Sequence, residues 1–294
     1  MGAGPIAAYL ALCLIWGSTY LAIKLVVVEV PPWLMIGARC LIAGSLLGSF
    51  SLARGVRLPP RRGILSAAAS GTLMFTLGQA SLAFGETRVP SGQAAVLGTM
   101  LSLFMPMAAW ALGTAARPGL MAALGLILGC VGVGVLANPE AGALDMVGSM
   151  AILFSGLSFA FGAAVSRRWP ASRTSNMTSS LQMLFGGAFC LLASLGLGEW
   201  GRFDSHAIGR PAVLAFLYLI TMGSLVAYAA FGWLVHIWRP ARLATYTYVN
   251  PVVALVLGAL MAGEKIGVRE VVATMIILGA VALVMFGNRA RQGG

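Results

Sequence analysis

The sequence predicts an all-α integral membrane protein with ten transmembrane helices, arranged as two inverted five-helix repeats around a central cavity. Of its 294 residues, 59% are hydrophobic and 9% are charged, whereas a soluble domain carries about 25% charged residues. Apolar runs of about 20 residues recur along the chain, and a helix of that length crosses a hydrocarbon core. The 38 glycines suit helices that pack closely within a membrane.

Proline, glycine and charged residues divide the chain into ten predicted spans. They are residues 5–28, 33–53, 64–85, 92–116, 118–138, 146–166, 177–198, 212–235, 243–263 and 270–287. The first run has no basic leader and no convincing cleavage site, so we expect a retained span and not a signal peptide. No connection is long enough for a separate soluble domain, which places any transport machinery within the membrane.

The basic and acidic residues of the connections separate onto two sides. Arginines without any acidic residue follow every second span: Arg54, Arg57, Arg61, Arg62, Arg117, Arg167, Arg168, Arg173, Arg239, Arg242, Arg289 and Arg291. The opposite connections hold every acidic residue: Glu29, Glu86, Glu140, Asp145, Glu199, Asp204, Glu264 and Glu270. The positive-inside rule then predicts that both termini are cytoplasmic. Because all acidic residues fall on outer ends or loops, no carboxylate is expected within the membrane to relay protons. This favours facilitated efflux down a concentration gradient, with proton coupling through Lys24 or a displaced glutamate as the alternative.

Two pairs of short sequences indicate that residues 1–140 and 141–294 are related halves. The first predicted span contains LIWGSTY from Leu14, and the sixth contains LFSGLSF from Leu153. The fourth contains PMAAWALG from Pro106, and the ninth contains PVVALVLG from Pro251. An odd number of spans in each half inverts the second half relative to the first, and such repeats are typical of secondary transporters.

The sequences WGSTY (16–20) and NPVVALVLGALMAGEK (250–265) resemble the drug/metabolite transporter superfamily, in its EamA-like branch of ten-helix proteins. The resemblance covers the whole chain and is greatest to bacterial aromatic amino acid exporters. It implies a secondary transporter that exports amino acids, aromatic and other neutral ones, or similar small metabolites, across the bacterial inner membrane by alternating access. The first half departs from the pattern, because TAARPG follows its proline motif where the second half has Gly263 and Glu264.

Aromatic and polar side chains within the apolar runs are the candidate substrate-binding residues. Trp16 and Tyr20 stand at i and i+4 on one helical face, as do Tyr246 and Asn250. Such rings can stack on an aromatic substrate, although ordinary helix packing explains the same pattern. The full set is Trp16, Tyr20, Lys24, Gln79, Ser155, Ser158, Phe159, Tyr228, Tyr246, Tyr248 and Asn250.

Two basic residues and two prolines within the spans bear on the same predicted cavity. Lys24 lies inside the first apolar run, where it either binds a substrate carboxylate or extends to the outer surface. Arg39, in the second span, has the same two interpretations. Pro106 and Pro251 each free a backbone carbonyl, which a membrane tolerates where the backbone is packed in protein or lines a wet cavity. Both prolines are therefore expected to border the cavity.

Other classes of function fit the sequence less well. The sequence contains no P-loop, and it contains no recognisable set of a nucleophile, an acid and a base that would indicate an enzyme. The two histidines are too isolated for a metal site. We expect no cofactor and no metal, and the scattered basic residues predict no nucleic-acid partner. A multipass enzyme acting on lipid, a passive channel and a subunit of a membrane complex are the alternatives. Because two fused halves can form a pathway without a second copy, the protein is expected to work as a monomer in the lipid bilayer.

Overall fold

The computed structural model describes residues 3–115, 117, 119–136, 145–172, 174–237, 246–264 and 266–289. Within these ranges the chain is helical and contains no β-strand. The first half comprises α1 (Ala3–Val27), α2 (Pro32–Ala53), α3 (Arg61–Gly71), α4 (Ala80–Glu86), α5 (Ser91–Gly98), α6 (Leu101–Ala111) and α7 (Leu120–Leu136). The second comprises α8 (Met146–Arg168), α9 (Ser175–Gly196), α10 (Arg210–Tyr218), α11 (Ala227–Ile237), α12 (Tyr246–Ala262) and α13 (Val268–Arg289).

Six helical segments in the described ranges are long and apolar enough to cross a membrane. They are Gly4–Val27, Pro32–Ala53, Ser91–Ala111, Met146–Arg168, Ser175–Gly196 and Arg210–Phe231. This confirms a helical, multi-pass membrane protein, while the count of ten spans stays a prediction. Glu140, Arg173, Arg239, Arg242 and Arg291, which supported the predicted orientation, lie outside the described residues.

Two π-helical segments interrupt otherwise α-helical stretches. The first, π1, runs over Thr72–Gln79 between α3 and α4, and the second, π2, runs over Leu219–Val226 between α10 and α11. Single π-turns are frequent at functional sites, and here each π segment is eight residues long. Immediately after them stand two similar sequences, ASLAFG from Ala80 and AYAAFG from Ala227.

Glycines allow the helices of the two halves to approach closely. A Cβ on Gly37 of α2 would lie 3.2 Å from the carbonyl oxygen of Gly187 in α9, and a Cβ on Gly187 would lie 3.0 Å from that of Gly37. A Cβ on Gly17 of α1 would come within 2.6 Å of the Val253 Cβ in α12. Small residues at these crossings let backbones pack where lipid provides no hydrophobic drive. The α1–α12 contact brings the candidate residues on those two helices together.

Candidate functional site

Four aromatic residues from α1, α11 and α12 form one cluster. The centroid of the Trp16 ring lies 5.6 Å from that of Tyr228, 5.3 Å from that of Phe231 and 5.0 Å from that of Tyr246. These distances and the edge-on angles of Tyr228 and Tyr246 are those preferred by aromatic pairs. We call Trp16, Tyr228, Phe231 and Tyr246 the aromatic cluster. The structure thus brings three predicted residues together and adds Phe231.

The backbone of π2 joins this cluster to the buried guanidinium of Arg39. The Trp16 Nε1 donates a hydrogen bond to the Gly223 carbonyl at 3.4 Å. The Arg39 Nε donates to the Ser224 Oγ at 2.9 Å, and its Nη2 would lie 3.3 Å from a Cβ on Gly223. Arg39 also lies close to Tyr228. The Arg39 guanidinium and the Trp16 ring of the aromatic cluster therefore border the same short stretch of π2.

Among the described residues, Arg39 has no acidic partner for its charge. It is 7% exposed, and within the described ranges the two ion pairs involve other residues. Its hydrogen bond to Ser224 uses one of its five N–H donors. An unpaired charge buried in a membrane protein is expensive to keep, so Arg39 is a candidate functional residue.

Two further predicted residues, Asn250 and Pro251, lie beside the aromatic cluster. The Asn250 side-chain amide is assigned the orientation in which its nitrogen faces two backbone carbonyls. In this orientation it donates to the backbone oxygen of Tyr246 at 3.0 Å and to that of Cys13 at 3.3 Å, and the second bond links α12 to α1. Pro251 is buried next to it. The Tyr20 hydroxyl contacts Gly98 at the end of α5. The side chain of Tyr248 lies outside the described part of the chain.

A second group of predicted residues lies where α8 packs against π1. The Ser158 Oγ donates to the Leu73 carbonyl at 2.8 Å, while Phe159 and Ser155 lie against Gly78. Gln79, the last residue of π1, is half-buried there. The half-buried Pro106 lies on α6, which packs against α8. Apart from Tyr20 and Lys24, the predicted residues with described side chains therefore lie next to π1 or in and beside the aromatic cluster. The Phe75 ring of π1 lies 6.4 Å from the Tyr228 ring and joins the two groups.

Lys24 lies away from the rings and contacts the end of α4. Its Nζ donates to the carbonyl oxygens of Glu86 at 2.6 Å and of Val89 at 3.0 Å. Glu86 differs from the expectation that acidic residues lie at solvated ends, because α1, α2 and α8 pack over α4 and leave its side chain fully buried. Neither of its carboxyl oxygens has a hydrogen-bond partner.

Three other carboxylates bind the N-terminal ends of helices in the opposite half. Glu264 accepts from the backbone nitrogens of Ser91 at 2.7 Å and Gly92 at 3.0 Å, at the start of α5. Glu199 accepts from the Leu34 nitrogen at 2.9 Å, at the start of α2. Glu29 accepts from the Gly209 nitrogen at 2.7 Å, just before α10. Exposed N–H groups and the helix dipole make such positions favourable for anions.

Part of this arrangement was missed from the sequence. Phe231 follows from the match between ASLAFG and AYAAFG, which places it in the repeat position of Phe84. The hydrogen bond of Arg39 to Ser224 joins residues far apart in the chain, and no local pattern signals it. Among the described residues no three His, Cys, Asp or Glu side chains are placed to hold a metal ion.

The chain is similar to known membrane transporters over nearly its whole length. A family model described as the EamA-like transporter family matches twice, at residues 4–138 and 146–286. The Uncharacterized inner membrane transporter YedA of Escherichia coli is 35% identical over 96% of this chain and 90% of its own. The Probable amino-acid metabolite efflux pump of Salmonella typhimurium is 24% identical over 96% of this chain and 95% of its own.

A solved crystal structure covers 99% of this chain and 99% of its own, with a TM-score of 0.68 at 18% identity, and so shares the fold. The two family matches and the relatives named as inner membrane transporters agree with the helical membrane architecture. The chain belongs to the EamA-like transporter family of the drug/metabolite transporter superfamily.

Proposed function

We propose that this transporter exports amino acids, aromatic and other neutral ones, across the bacterial inner membrane by alternating access. The observation that carries the proposal is the unpaired Arg39 guanidinium beside the aromatic cluster. The Salmonella relative, named as a probable amino-acid metabolite efflux pump, supports the same class of substrate.

The two parts of this site match the two ends of an aromatic amino acid. A guanidinium binds a carboxylate through two parallel, charge-assisted hydrogen bonds, and we assign this role to the terminal nitrogens of Arg39. An aromatic ring stacks on Trp16 or Tyr246 at a gain of about 0.5–1.5 kcal/mol beyond the burial of its surface. The site therefore favours a small carboxylate with a flat apolar side chain.

Entry of a substrate ring requires the cluster to open. Its rings contact one another across α1, α11 and α12, so a substrate ring takes the place of one of these contacts. Relative movement of those helices is what alternating access supplies in transporters built from repeats. The closed cluster then corresponds to a state without substrate.

Several observations support two inverted halves, residues 1–140 and 141–294. The family model matches once in each, and each contains a π segment followed by the AxxAFG pattern. The packing is also reciprocal: α1 packs on α12 as α8 packs on α6, while α2 with α9 and α7 with α13 pair across the halves. Together with the separated charges, this supports ten spans, cytoplasmic termini and function as a monomer.

Efflux from proteoliposomes loaded with labelled phenylalanine or alanine tests the proposal. Arg39→Gln should reduce transport of both by about tenfold or more, because a charge-assisted pair in a dry site contributes at least about 1.5 kcal/mol. Trp16→Ala and Tyr246→Ala should reduce phenylalanine efflux about five- to tenfold, for about 1 kcal/mol of lost stacking, and alanine efflux less.

Matched controls are Arg54→Gln, an exposed arginine after α2, and Trp110→Ala, an exposed tryptophan on α6. Phenylpropionate and phenethylamine, offered as competitors, separate recognition of the carboxylate from recognition of the amine, and the carboxylate should compete better. If Arg39→Gln and both alanine variants transport like the controls, the proposed site is wrong.

A further inference from the structure

Glu86 stands apart from the other described acidic residues. Glu29, Asp145, Glu199, Asp204, Glu264 and Glu270 each accept at least one backbone N–H. Glu86 is fully buried, and both of its carboxyl oxygens lack a partner. An ionised carboxylate buried without donors costs several kcal/mol, whereas a protonated carboxyl group carries no charge.

Its position on α4 also disfavours the charged form. Glu86 is the last residue of that helix, where the carbonyl groups give a partial negative charge. The Glu264 carboxylate lies near enough to interact with it electrostatically. In this arrangement the negative end of a helix and a second carboxylate both oppose ionisation of Glu86.

Lys24 provides the alternative partner for an ionised Glu86. In this structure its ammonium group is held by the carbonyl oxygens of Glu86 and Val89, and it is near enough to the Glu86 carboxyl group for their charges to interact. After a small shift of α1 against α4, the Lys24 ammonium group would bind the Glu86 carboxylate in place of the two backbone carbonyls. The site thus has two arrangements that differ by one proton on Glu86: a neutral carboxyl group with Lys24 on the backbone carbonyls, and a carboxylate paired with Lys24.

α1 connects this site to the aromatic cluster. Trp16, Tyr20 and Lys24 recur at intervals of four residues and so lie along one face of the helix. Trp16 belongs to the cluster, and Tyr20 lies close to Glu86. Movement of α1 that opens the rings therefore also moves Lys24 relative to Glu86.

We infer that Glu86 is a proton-binding site that couples substrate export to proton entry. With α1 as seen here, Glu86 holds a proton and Lys24 binds the backbone carbonyls. When α1 moves, Glu86 releases its proton to water and the resulting carboxylate accepts a hydrogen bond from Lys24. This coupling rests on the proposed export function.

The remaining charged groups around α4 are engaged elsewhere. Arg88, after α4, pairs with Asp145 at the start of α8 at 3.0 Å, and Glu264 is bound at the start of α5. On α2, Arg39 is bonded to Ser224 and Cys40 is buried. The π1 and α5 segments contain no titratable residue, and the arginines of α8 lie at its far end. Lys24 and Tyr20 are then the titratable groups that face Glu86 from α1.

Transport by proteoliposomes with and without a pH gradient tests the inference. Wild-type protein should exchange amino acids across the membrane without a pH gradient. Its net efflux should be faster when a pH gradient drives protons into the proteoliposomes while the substrate leaves. Glu86→Gln should retain exchange and lose the acceleration by the gradient. Asp204→Asn, an exposed residue bonded within its own loop, should behave as wild type. Acceleration that survives in Glu86→Gln would overturn the inference.

The outcomes also separate this inference from the proposed function. Wild-type exchange without any effect of a pH gradient would refute proton coupling alone, whereas no exchange of any amino acid would refute the export function. If Glu86→Gln loses exchange as well, Glu86→Asp decides: a shifted pH dependence of net efflux supports the inference, and an unchanged one overturns it. Infrared difference spectra at neutral pH should show a protonated carboxyl band in the wild type that Glu86→Gln lacks, and its absence from the wild type would contradict the protonated state.

Discussion

The two ends of this transporter hold its halves together in different ways. At one end, Glu264 and Glu199 bind the starts of α5 and α2, and Glu29 binds the backbone just before α10. At the other end, Arg168 donates to the Leu112 carbonyl at the end of α6 at 2.9 Å, and Ser66 donates to the Trp169 carbonyl. We call them the acidic end and the basic end.

The backbone turns are the same at both ends, so the carboxylates make the difference. Gly198 and Gly263 adopt φ values of 67° and 64°, and Glu199 and Glu264 follow them. In the first half Gly55 and Gly113 adopt 78° and 66°, a region that favours glycine, but Val56 and Thr114 follow them. Glu199 fills the space between the end of α9 and the start of α2. The corresponding space at the basic end, between the end of α2 and the start of α9, is a groove of about 340 Å³, lined partly by Val56 and Thr174. The same glycine turn is therefore followed by a carboxylate that binds the other half at the acidic end and by an uncharged residue at the basic end. The acidic end is held closed by more contacts between the halves.

The largest effect is expected from removing two of these carboxylate contacts together. Glu199→Gln with Glu264→Gln retains the side-chain size but loses the charge at two helix starts, at about 1 kcal/mol each. Roughly 2 kcal/mol shifts the balance of the two transporter states by about tenfold or more, toward opening of the acidic end. A cysteine placed at the buried Ala95 in a cysteine-free background should then react faster with a membrane-impermeant maleimide.

Asp204→Asn at the same end serves as the control, because its carboxylate is bonded within its own loop. Equal labelling of Ala95→Cys in the double variant and the control would mean that these contacts do not hold the acidic end closed.

A smaller effect is expected from adding a carboxylate to the basic end. Val56→Glu would place an acidic side chain after Gly55, in the groove it shares with Thr174 and Asn176 at the start of α9. No side chain caps that helix start, and Arg54 lines the same groove. A stabilisation of about 1 kcal/mol should slow opening of the basic end and reduce efflux about fivefold. Val56→Gln supplies the control for size, and equal efflux by the two variants would show that no contact forms.

The smallest effect is expected at the exposed pair of Arg88 and Asp145, which also joins the halves at the acidic end. The Gly148 N–H and then the Arg88 side chain hold the pKa of Asp145 below its usual value. Its contribution to stability is thus present above the usual pKa of about 3.9 and is lost as the pH falls through the lower folded-state pKa. The pair is solvent-exposed, so it contributes little.

Thermal unfolding of wild type and Asp145→Asn in detergent at neutral and acidic pH measures this contribution. The difference in Tm should be small at neutral pH and should narrow below about pH 4. If the Tm difference between wild type and Asp145→Asn became larger at acidic pH, the bonds of Asp145 to Gly148 and Arg88 would not be what stabilises its ionised form.

The helical architecture could be predicted from the sequence because hydropathy and length decide it locally. Trp16, Tyr228 and Tyr246 were predicted as site residues and lie in one cluster, since aromatic residues in apolar runs are recognisable without a partner. The Arg39–Ser224 contact and the burial of Glu86 depend on which helices pack together, which spacing along one helix does not encode. Ser155, Ser158 and Phe159 are predicted to belong to the same site and pack against π1, so their place in that site stays a prediction.

The π segments bear on how the aromatic cluster can open. A π-turn closes its hydrogen bonds one residue later than an α-turn, so π2 holds extra residues in register between α10 and α11. Return of the whole π2 segment to α geometry would change its winding by about one residue, and so rotate the following helix by about 100° relative to the preceding one. Tyr228 and Phe231 stand immediately after π2, and such a rotation would turn both rings away from Trp16 while α10 stays in place. The helical register at π2 in a substrate-bound structure would reveal this motion. A change of one residue in the winding of π2 would move the Tyr228 and Phe231 rings, and the rest of the span would not need to slide.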